Sequence, residues 1–327
     1  MFSRAGRRIG GRQFEVRPGL PGVYTIAGII RCARPGHRRT LRSEISVFQR
    51  SVFPRDAKPR WALRALAAAG VVALAGAAAF GVASFSHQAT ADITAEEYVA
   101  LGDSYVAGAG AGDYIDDDAC RRSENAYPKL AAVELGEELR FDACSGAETI
   151  DVVENQLTHL DDSTAHVSIG VGGNDIGFSA IMSACSGTDD DACASAIESA
   201  EAATTDVLPA SLDDLYTQVA AEAGNAMIVV VGYPHLFDGT TCDATVGITP
   251  EEQAALNDLA DLLNATTAEV AEAHGFPFAD PREAFADHAI CSEDPWLLGH
   301  VTDEASFHPN AAGQAGYAEV VLDYPYE

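Results

Sequence analysis

Residues 92–327 alternate short apolar segments with helical patterns, and this alternation constrains the fold more than any other feature. The apolar segments are continuous and rich in β-branched residues, which is typical of strands buried on both faces of a parallel sheet. Thr249-Pro250-Glu251-Glu252 marks one helix start with a threonine cap, a proline at the first position and acids in the first turn. The predicted strands span residues 97–102, 139–143, 167–171, 226–231 and 276–278.

Helical patterns separate these strands. The predicted helices span residues 126–135, 200–223, 250–274 and 309–322, and one further helix begins at residue 149. The main loops span residues 108–120, 179–194 and 236–247. This order predicts an α/β fold, a three-layer α/β/α sandwich around a central, mostly parallel five-stranded sheet. About 236 residues suffice for one hydrophobic core, so residues 92–327 are predicted to form a single domain.

Charged residues divide the chain into two parts. Residues 1–91 hold fifteen of the 20 Lys and Arg residues but only three of the 49 Asp and Glu residues. Residues 92–327 therefore hold 5 basic and 46 acidic residues, a net charge of −41. The asymmetry predicts a basic leader joined to an acidic domain. It argues against nucleic-acid binding, which needs clustered Lys and Arg, and it predicts a halophilic protein that salt stabilises.

The leader has the order of segments found in export signals. A positive flank at 55–64 precedes an apolar core at 65–85, and Ala89-Thr90-Ala91 offers small residues where a signal peptidase cuts. This order predicts a secretory signal peptide and a secreted domain. An uncleaved membrane anchor, with the domain facing outside, is the alternative, because about twenty apolar residues can span a bilayer.

Four short motifs lie beside the predicted elements. Gly102-Asp103-Ser104 ends the first strand, and Gly172-Gly173-Asn174-Asp175 follows the third. Ala143-Cys144-Ser145-Gly146-Ala147 follows the second strand, and Phe307-His308-Pro309-Asn310 precedes the last helix. A serine at a strand exit and a histidine before a helix are the residue types of a nucleophile and its general base. The carboxyl ends of parallel strands share one edge of a sheet, so we expect these motifs to meet there.

The four motifs, in this order and at this spacing, resemble the conserved blocks of the SGNH (GDSL) hydrolases. The match covers roughly residues 96–325. Within that family the chain most resembles secreted, disulfide-bonded esterases and lipases of actinomycetes. The resemblance implies a flavodoxin-like sheet and hydrolysis of carboxylic esters.

The resemblance also implies roles for individual residues. Ser104 would be the nucleophile and His308 its general base. The backbone N–H groups of Ser104 and Gly146, with the Asn174 side-chain amide, would form an oxyanion hole of three donors. Asparagine suits this role because it donates a hydrogen bond without adding charge beside a neutral ester.

One position departs from the family pattern, which often has an aspartate three residues before the histidine. Here that position is Ala305. His308 still needs an acceptor for its Nδ1 proton to hold the right tautomer. We predict a backbone carbonyl, that of Ala305, while the side chains of Asp303 and Glu304 remain open as alternatives.

Other motifs are interpreted as structural. Asp103 is expected to order the nucleophile turn, and Asp175 to accept hydrogen bonds from loop amides. The glycines of 108–112 lack the spacing and context of a dinucleotide loop. The aspartates at 116–118 and 189–191 lack calcium-loop spacing and are interpreted as solvated charge. We therefore expect no metal and no organic cofactor.

Cysteine usage agrees with export. Six cysteines follow the leader, and sequence alone leaves fifteen possible pairings open. The family resemblance implies sequential pairing: Cys120 with Cys144, Cys185 with Cys193, and Cys242 with Cys291. Zinc binding is disfavoured because the chain has no Cys-x-x-Cys motif and no histidines at ligand spacing near the cysteines.

These observations predict a secreted serine esterase or lipase that cleaves acyl esters through an acyl-enzyme. Two alternatives of the same fold are a carbohydrate deacetylase and a phospholipase A. A third, of another class, is a catalytically silent, wall-associated binding module. We expect a monomer that acts on a small-molecule or lipid ester and binds no nucleic acid. Membrane contact is expected only through an uncleaved leader.

Overall fold

The computed structural model of the protein describes residues 96–115, 119–301 and 305–324. The predicted leader, with its apolar core at 65–85 and its candidate cleavage site, lies outside the described residues. Asp303 and Glu304 lie outside them as well. Within these ranges, no helix combines the length and the apolar character that crossing a bilayer requires.

Five parallel strands form one sheet, and all five are among the predicted strands. They are β1 (Glu97–Gly102), β2 (Glu138–Phe141), β3 (Thr164–Gly170), β4 (Met227–Val231) and β5 (Phe278–Ala279). Their order in the sheet is β2-β1-β3-β4-β5. This is the flavodoxin-like doubly wound order, in which ligands bind outside the carboxyl ends of β1 and β3.

Helices cover both faces of the sheet. They are α1 (Ser104–Ala107), α2 (Tyr127–Leu135), α3 (Thr149–Asn155), α4 (Phe178–Cys185), α5 (Asp190–Asp206), α6 (Leu208–Glu222), α7 (Pro250–Ala273) and α8 (Ala311–Leu322). Helix α2 packs against α8, whereas α3, α5, α6 and α7 pack among themselves. Because crossovers between parallel strands are right-handed, these two groups lie on opposite faces. The predicted three-layer α/β/α sandwich is confirmed.

One helix prediction and one loop prediction were wrong. The predicted helix at 200–223 is two helices, α5 and α6, which meet at Val207. Pro209 near the start of α6 explains the break, because proline lacks an N–H and clashes with a preceding helical turn. The predicted loop at 179–194 is mostly helical: it holds α4 and the first part of α5, which begins after the Asp189 cap.

The ends of β1 and β3 approach closely, and glycine permits it. Gly102 has φ +136°, and a Cβ there would lie 2.0 Å from the Gly170 carbonyl oxygen. The next residue, Asp103, donates its N–H to the same Gly170 oxygen at 3.0 Å. The chain therefore leaves both strands at adjacent points, which places the two following loops side by side.

Candidate active site

Ser104 is the first residue of α1 and lies directly after β1. The Asp103 carboxylate caps this helix by accepting the Tyr105 N–H at 2.9 Å. The Gln156 carboxamide holds the strand end, because it bonds the N–H and the carbonyl of Gly102 at 2.7 Å and 2.9 Å. An N–H at a helix start has no acceptor within the helix. The Ser104 N–H also has none among the described residues, so it can serve a ligand.

The His308 imidazole meets the serine. Its Nε2 lies 2.7 Å from the Ser104 Oγ, although the two residues are 204 positions apart. The Tyr105 hydroxyl donates to the Phe307 carbonyl at 2.6 Å, which ties the nucleophile turn to the residue before the histidine. Gly110 packs against the base of this side chain, since a Cβ there would lie 3.0 Å from the His308 Cβ. At 2.7 Å the imidazole is within reach of the serine proton.

The hydrogen-bond partner of the other ring nitrogen, Nδ1, differs from the predicted one. His308 Nδ1 lies 2.9 Å from the carbonyl oxygen of Ser306, one residue later than the Ala305 carbonyl that we expected. The Ala305 carbonyl instead accepts the backbone N–H of His308 at 3.2 Å and closes a turn. Phe307 has φ +63°, a left-handed conformation that turns the Ser306 carbonyl towards the ring. The expectation of a main-chain acceptor agrees with this contact, although its position does not.

Replacing Asp303 by asparagine is expected to leave most of the activity, because a backbone carbonyl already engages Nδ1. A triad aspartate, by contrast, is worth about 10⁴-fold in kcat. Steady-state kinetics on a soluble ester would measure the difference, with Glu304→Gln as the matched control. A loss above about a hundredfold in the folded Asp303→Asn variant alone would assign the orienting role to that side chain.

Gly146 and Asn174 lie in the same cleft as Ser104 and His308. Gly146 has φ +83°, and its N–H has no acceptor among the described residues. The Asn174 Nδ2 donates to the Ala147 carbonyl at 3.0 Å, which connects the two loops and uses one of its two hydrogens. The second hydrogen remains for a ligand. The structure thus brings all four predicted site residues around one cleft.

A partly buried carboxylate supports the asparagine loop. Both oxygens of Asp175 accept the Thr149 N–H, at 3.2 Å and 3.1 Å, and the Thr149 hydroxyl adds a third hydrogen bond. Burial raises the pKa of Asp175 above its ordinary value, while these hydrogen bonds act in the opposite direction. The side chain therefore serves the loop, as expected from the sequence.

Tyr233 connects the nucleophile turn to the asparagine loop, and the sequence analysis missed it. Its hydroxyl donates to Asp103 at 2.6 Å and accepts the Gly173 N–H at 3.2 Å. Burial raises the pKa of Asp103 to about 6, although hydrogen bonds from Tyr233 and Tyr105 lower it. A single tyrosine after β4 belongs to no motif. Its place just beyond a predicted strand end was the only available signal.

Two spaces open beside the serine. The active-site cleft has a volume of about 1090 Å³, and its lining also includes Tyr114, Arg121, Phe178, Ser179, Ser183 and His300. A narrower pocket of about 60 Å³ begins at Ser104 and runs between apolar side chains: Ile181, Met182, Leu236, Leu256, Leu259 and Leu263. The cleft can therefore hold a polar group, and the pocket an apolar one.

Three disulfides join the loops, and their pairings are those that the family resemblance implied. They are Cys120–Cys144, Cys185–Cys193 and Cys242–Cys291. The first holds the loop after α1 against the loop that carries Gly146, where Ser145 also donates its N–H to the Cys120 carbonyl at 3.0 Å. In the described ranges, no three His, Cys, Asp or Glu side chains are grouped to hold a metal ion.

Residues 100–315 match the family model described as GDSL-like Lipase/Acylhydrolase. The match spans more than half of the chain and includes Ser104, Gly146, Asn174 and His308. This chain belongs to the GDSL-like lipase/acylhydrolase family. The family prediction is therefore confirmed, and with it the prediction of a carboxylic ester hydrolase.

Relatives of this GDSL-like hydrolase come from Streptomyces. It is 44% identical over 234 residues to Lipase 1 of Streptomyces coelicolor, covering 70% of this chain and 86% of that protein. Among solved structures, an extracellular lipase from Streptomyces rimosus is 43% identical, with a TM-score of 0.68. Phospholipase A1 from Streptomyces albidoflavus NA297 is 42% identical, with the same TM-score. Each of these structures covers 71% of the hydrolase and is itself covered in full.

Proposed function

We propose that this hydrolase is an exported serine esterase or lipase in which Ser104 is the nucleophile and His308 the general base. The observation that carries the proposal is the 2.7 Å contact between Ser104 Oγ and His308 Nε2, with Nδ1 of the same ring held by a backbone carbonyl. A hydroxyl is a weak nucleophile until a base takes its proton. The paired geometry supplies that base.

Acylation begins when His308 Nε2 takes the Ser104 proton as Oγ bonds to the ester carbonyl carbon. The carbonyl oxygen becomes an oxyanion, and the N–H groups of Ser104 and Gly146 and the Asn174 amide donate hydrogen bonds to it. When the tetrahedral intermediate collapses, the bond to the alcohol oxygen breaks. His308 Nε2 then gives its proton to the departing alcohol, which leaves an acyl-Ser104 ester and a neutral imidazole.

Deacylation repeats these steps with water. His308 Nε2 takes a proton from water as the water oxygen bonds to the acyl carbon, and the same three donors hold the second oxyanion. Collapse releases the carboxylic acid and returns the proton to Ser104 Oγ. The apolar pocket beside Ser104 would hold the acyl chain, because its lining of leucine, isoleucine and methionine favours a hydrocarbon over a polar group.

A serine-reactive phosphonate tests the proposal directly. We expect stoichiometric labelling of Ser104, located by peptide mass analysis, together with turnover of p-nitrophenyl esters. Absence of both labelling and turnover in the folded protein would instead support the silent binding module. A panel of esters of increasing chain length, with acetylxylan included, would separate an acyl esterase or lipase from a carbohydrate deacetylase.

Export has independent support. The leader has the order of a signal peptide, the domain holds three disulfides, and such bonds persist in oxidising compartments. The Streptomyces rimosus relative is described as extracellular. Cell fractionation, with sequencing of the mature N-terminus, would distinguish a secreted domain from a membrane-anchored one.

Salt is expected to stabilise the domain. Residues 92–327 have a net charge of −41, so carboxylates repel one another with few cations to offset them. The Debye length falls from about 10 Å at 0.1 M salt to about 3 Å at 1 M. The melting temperature should therefore rise by several degrees as NaCl increases from tens of millimolar to about 1 M. A flat or falling melting temperature across that series would contradict a halophilic domain.

A further inference from the structure

The Tyr233 hydroxyl lies between two loops that carry proposed oxyanion donors. It donates to the Asp103 Oδ2 at 2.6 Å and accepts the Gly173 N–H at 3.2 Å. Asp103 immediately precedes Ser104 in the chain. Gly173 immediately precedes Asn174. One hydroxyl therefore bonds the neighbour of the first donor and the neighbour of the second.

The carboxylate that receives this hydroxyl also holds the nucleophile turn. Asp103 is 2% exposed, and its Oδ1 accepts the Tyr105 N–H at 2.9 Å. Burial raises the pKa of Asp103 to about 6, which still leaves it ionised at neutral pH. A hydrogen bond to an ionised acceptor is stronger than one to a neutral acceptor. The Gly173 N–H has no second acceptor among the described residues, so its position depends on the Tyr233 oxygen.

The backbone of Tyr233 is held from both faces of the sheet. Asn264, fully buried on α7, accepts the Tyr233 N–H at 2.9 Å and donates to the Tyr233 carbonyl at 2.7 Å. The Tyr317 hydroxyl on α8 donates to the Gly232 carbonyl at 3.0 Å. Glycine permits this close packing, because a Cβ at Gly232 would lie 2.7 Å from the Asn264 Oδ1. Two helices therefore fix the base from which the phenol extends.

The Tyr233 ring has packing contacts that do not involve its oxygen. Its centroid lies 5.2 Å from that of the Tyr105 ring, and the two planes meet edge to face at 80°. The ring also lines the apolar pocket beside Ser104. Phenylalanine at position 233 would keep both contacts and would lack only the hydroxyl. This substitution therefore separates the two hydrogen bonds from the packing.

The same series of hydrogen bonds extends to the third donor. The Asn174 Nδ2 donates to the Ala147 carbonyl at 3.0 Å, and Ala147 follows Gly146. Oxyanion donors act only when they lie about 2.7–3.1 Å from the position of the oxyanion. A displacement of about 1 Å can cost about 10²-fold in rate. Small movements of these loops should therefore affect the transition state strongly.

We propose that Tyr233 is a positioning residue of the oxyanion hole, whose hydroxyl sets the separation between the Ser104 N–H and the Asn174 amide. Its hydrogen bonds go to Asp103 and Gly173, so it acts through these neighbours and not on the ester itself. The inference rests on the proposed serine-esterase mechanism and adds to it a residue from outside the four sequence motifs.

The test compares Tyr233→Phe with the unaltered protein on p-nitrophenyl butyrate. We expect kcat to fall by about 10- to 100-fold, because the oxyanion donors lose a common support. KM should change by less than about threefold, since the ring and the apolar pocket remain. Tyr216→Phe is the matched control: Tyr216 is also buried, but it packs against His274 and Phe276, outside the lining of the cleft and the pocket. It should leave both constants unchanged.

A double-mutant cycle tests where the hydroxyl acts. Tyr233→Phe is also made in the Asn174→Ala background, in which one donor is already absent. Because the hydroxyl positions that donor, its removal should lower kcat several-fold less in this background than in the unaltered protein. A hydroxyl that only stabilised the fold would lower the melting temperature, and its effect on the kcat of folded protein would be the same in both backgrounds.

A kcat within about twofold of the unaltered value in Tyr233→Phe would overturn the inference. A loss through KM alone, or an equal fold-loss in both backgrounds, would overturn it as well. If Tyr233→Phe does not fold, Asn264→Ala takes its place, since it removes both hydrogen bonds to the Tyr233 backbone. The same fall in kcat and the same coupling to Asn174 are then expected. Absence of ester hydrolysis by the unaltered protein would instead reject the proposed function itself.

Discussion

Replacing Ser104 by alanine is expected to lower kcat for ester hydrolysis by about 10⁴- to 10⁶-fold, the range found when a serine nucleophile is removed. Alanine lacks the oxygen that bonds to the carbonyl carbon, so only binding and the oxyanion donors remain. His308→Ala should cause a loss of similar size, because the hydroxyl then has no base within 2.7 Å. Steady-state kinetics on a p-nitrophenyl ester would measure both losses.

The double variant tests whether Ser104 and His308 act as one unit. Residues that act as one unit are not additive, so Ser104→Ala with His308→Ala should be no slower than either single variant. Ser199→Ala is the matched control, since Ser199 lies on α5 and its hydroxyl bonds the Ser195 carbonyl. Near-native turnover by the folded Ser104→Ala variant would reject a serine-hydrolase mechanism for this site.

Replacing Asn174 by alanine is expected to lower kcat by about 10²- to 10³-fold, with a much smaller change in KM. The amide would donate to the oxyanion more strongly than to the ground-state carbonyl, so its loss should affect mainly the transition state. The same kinetic assay would show this as a fall in kcat and in kcat/KM of similar size.

The Asn174 amide also joins two loops through the Ala147 carbonyl, so a structural effect must be separated from a catalytic one. A thermal melt of the variant measures the structural part. Asn155→Ala is the matched control, because this exposed asparagine bonds only the Asp151 carbonyl of its own helix among the described residues. A fall in kcat below about fivefold, with a lowered melting temperature, would restrict Asn174 to a structural role.

The strand pattern could be predicted because burial on both faces gives parallel strands continuous apolar sequences. All five predicted strands are in the sheet, and their bounds differ by only a few residues. The helices were harder to predict from the sequence than the strands. A serine-rich segment near Cys185 resembles a loop, yet it forms α4, whose side chains Ile181 and Met182 are buried. Packing of α4 against α5 overrides weak local preference, and the sequence does not display that packing.

The position of the histidine acceptor illustrates a second limit. The absence of an aspartate at position 305 was visible, and it predicted a main-chain acceptor. The carbonyl that faces Nδ1 is that of Ser306, and the following residue, Phe307, has a left-handed φ. Phenylalanine gives no sign that it adopts this conformation, since side-chain-bearing residues rarely do.

The order of its motifs alone determined the family of this chain and its ester chemistry. It also predicted the residues of the candidate site, because a nucleophile, a base and oxyanion donors need particular side chains at strand ends. Only the tertiary structure decided which groups support them. Tyr233 and Gln156 belong to no motif, and they support the nucleophile turn because folding brings their side chains to it. Contacts between residues distant in sequence depend on packing in three dimensions, which local sequence patterns do not contain.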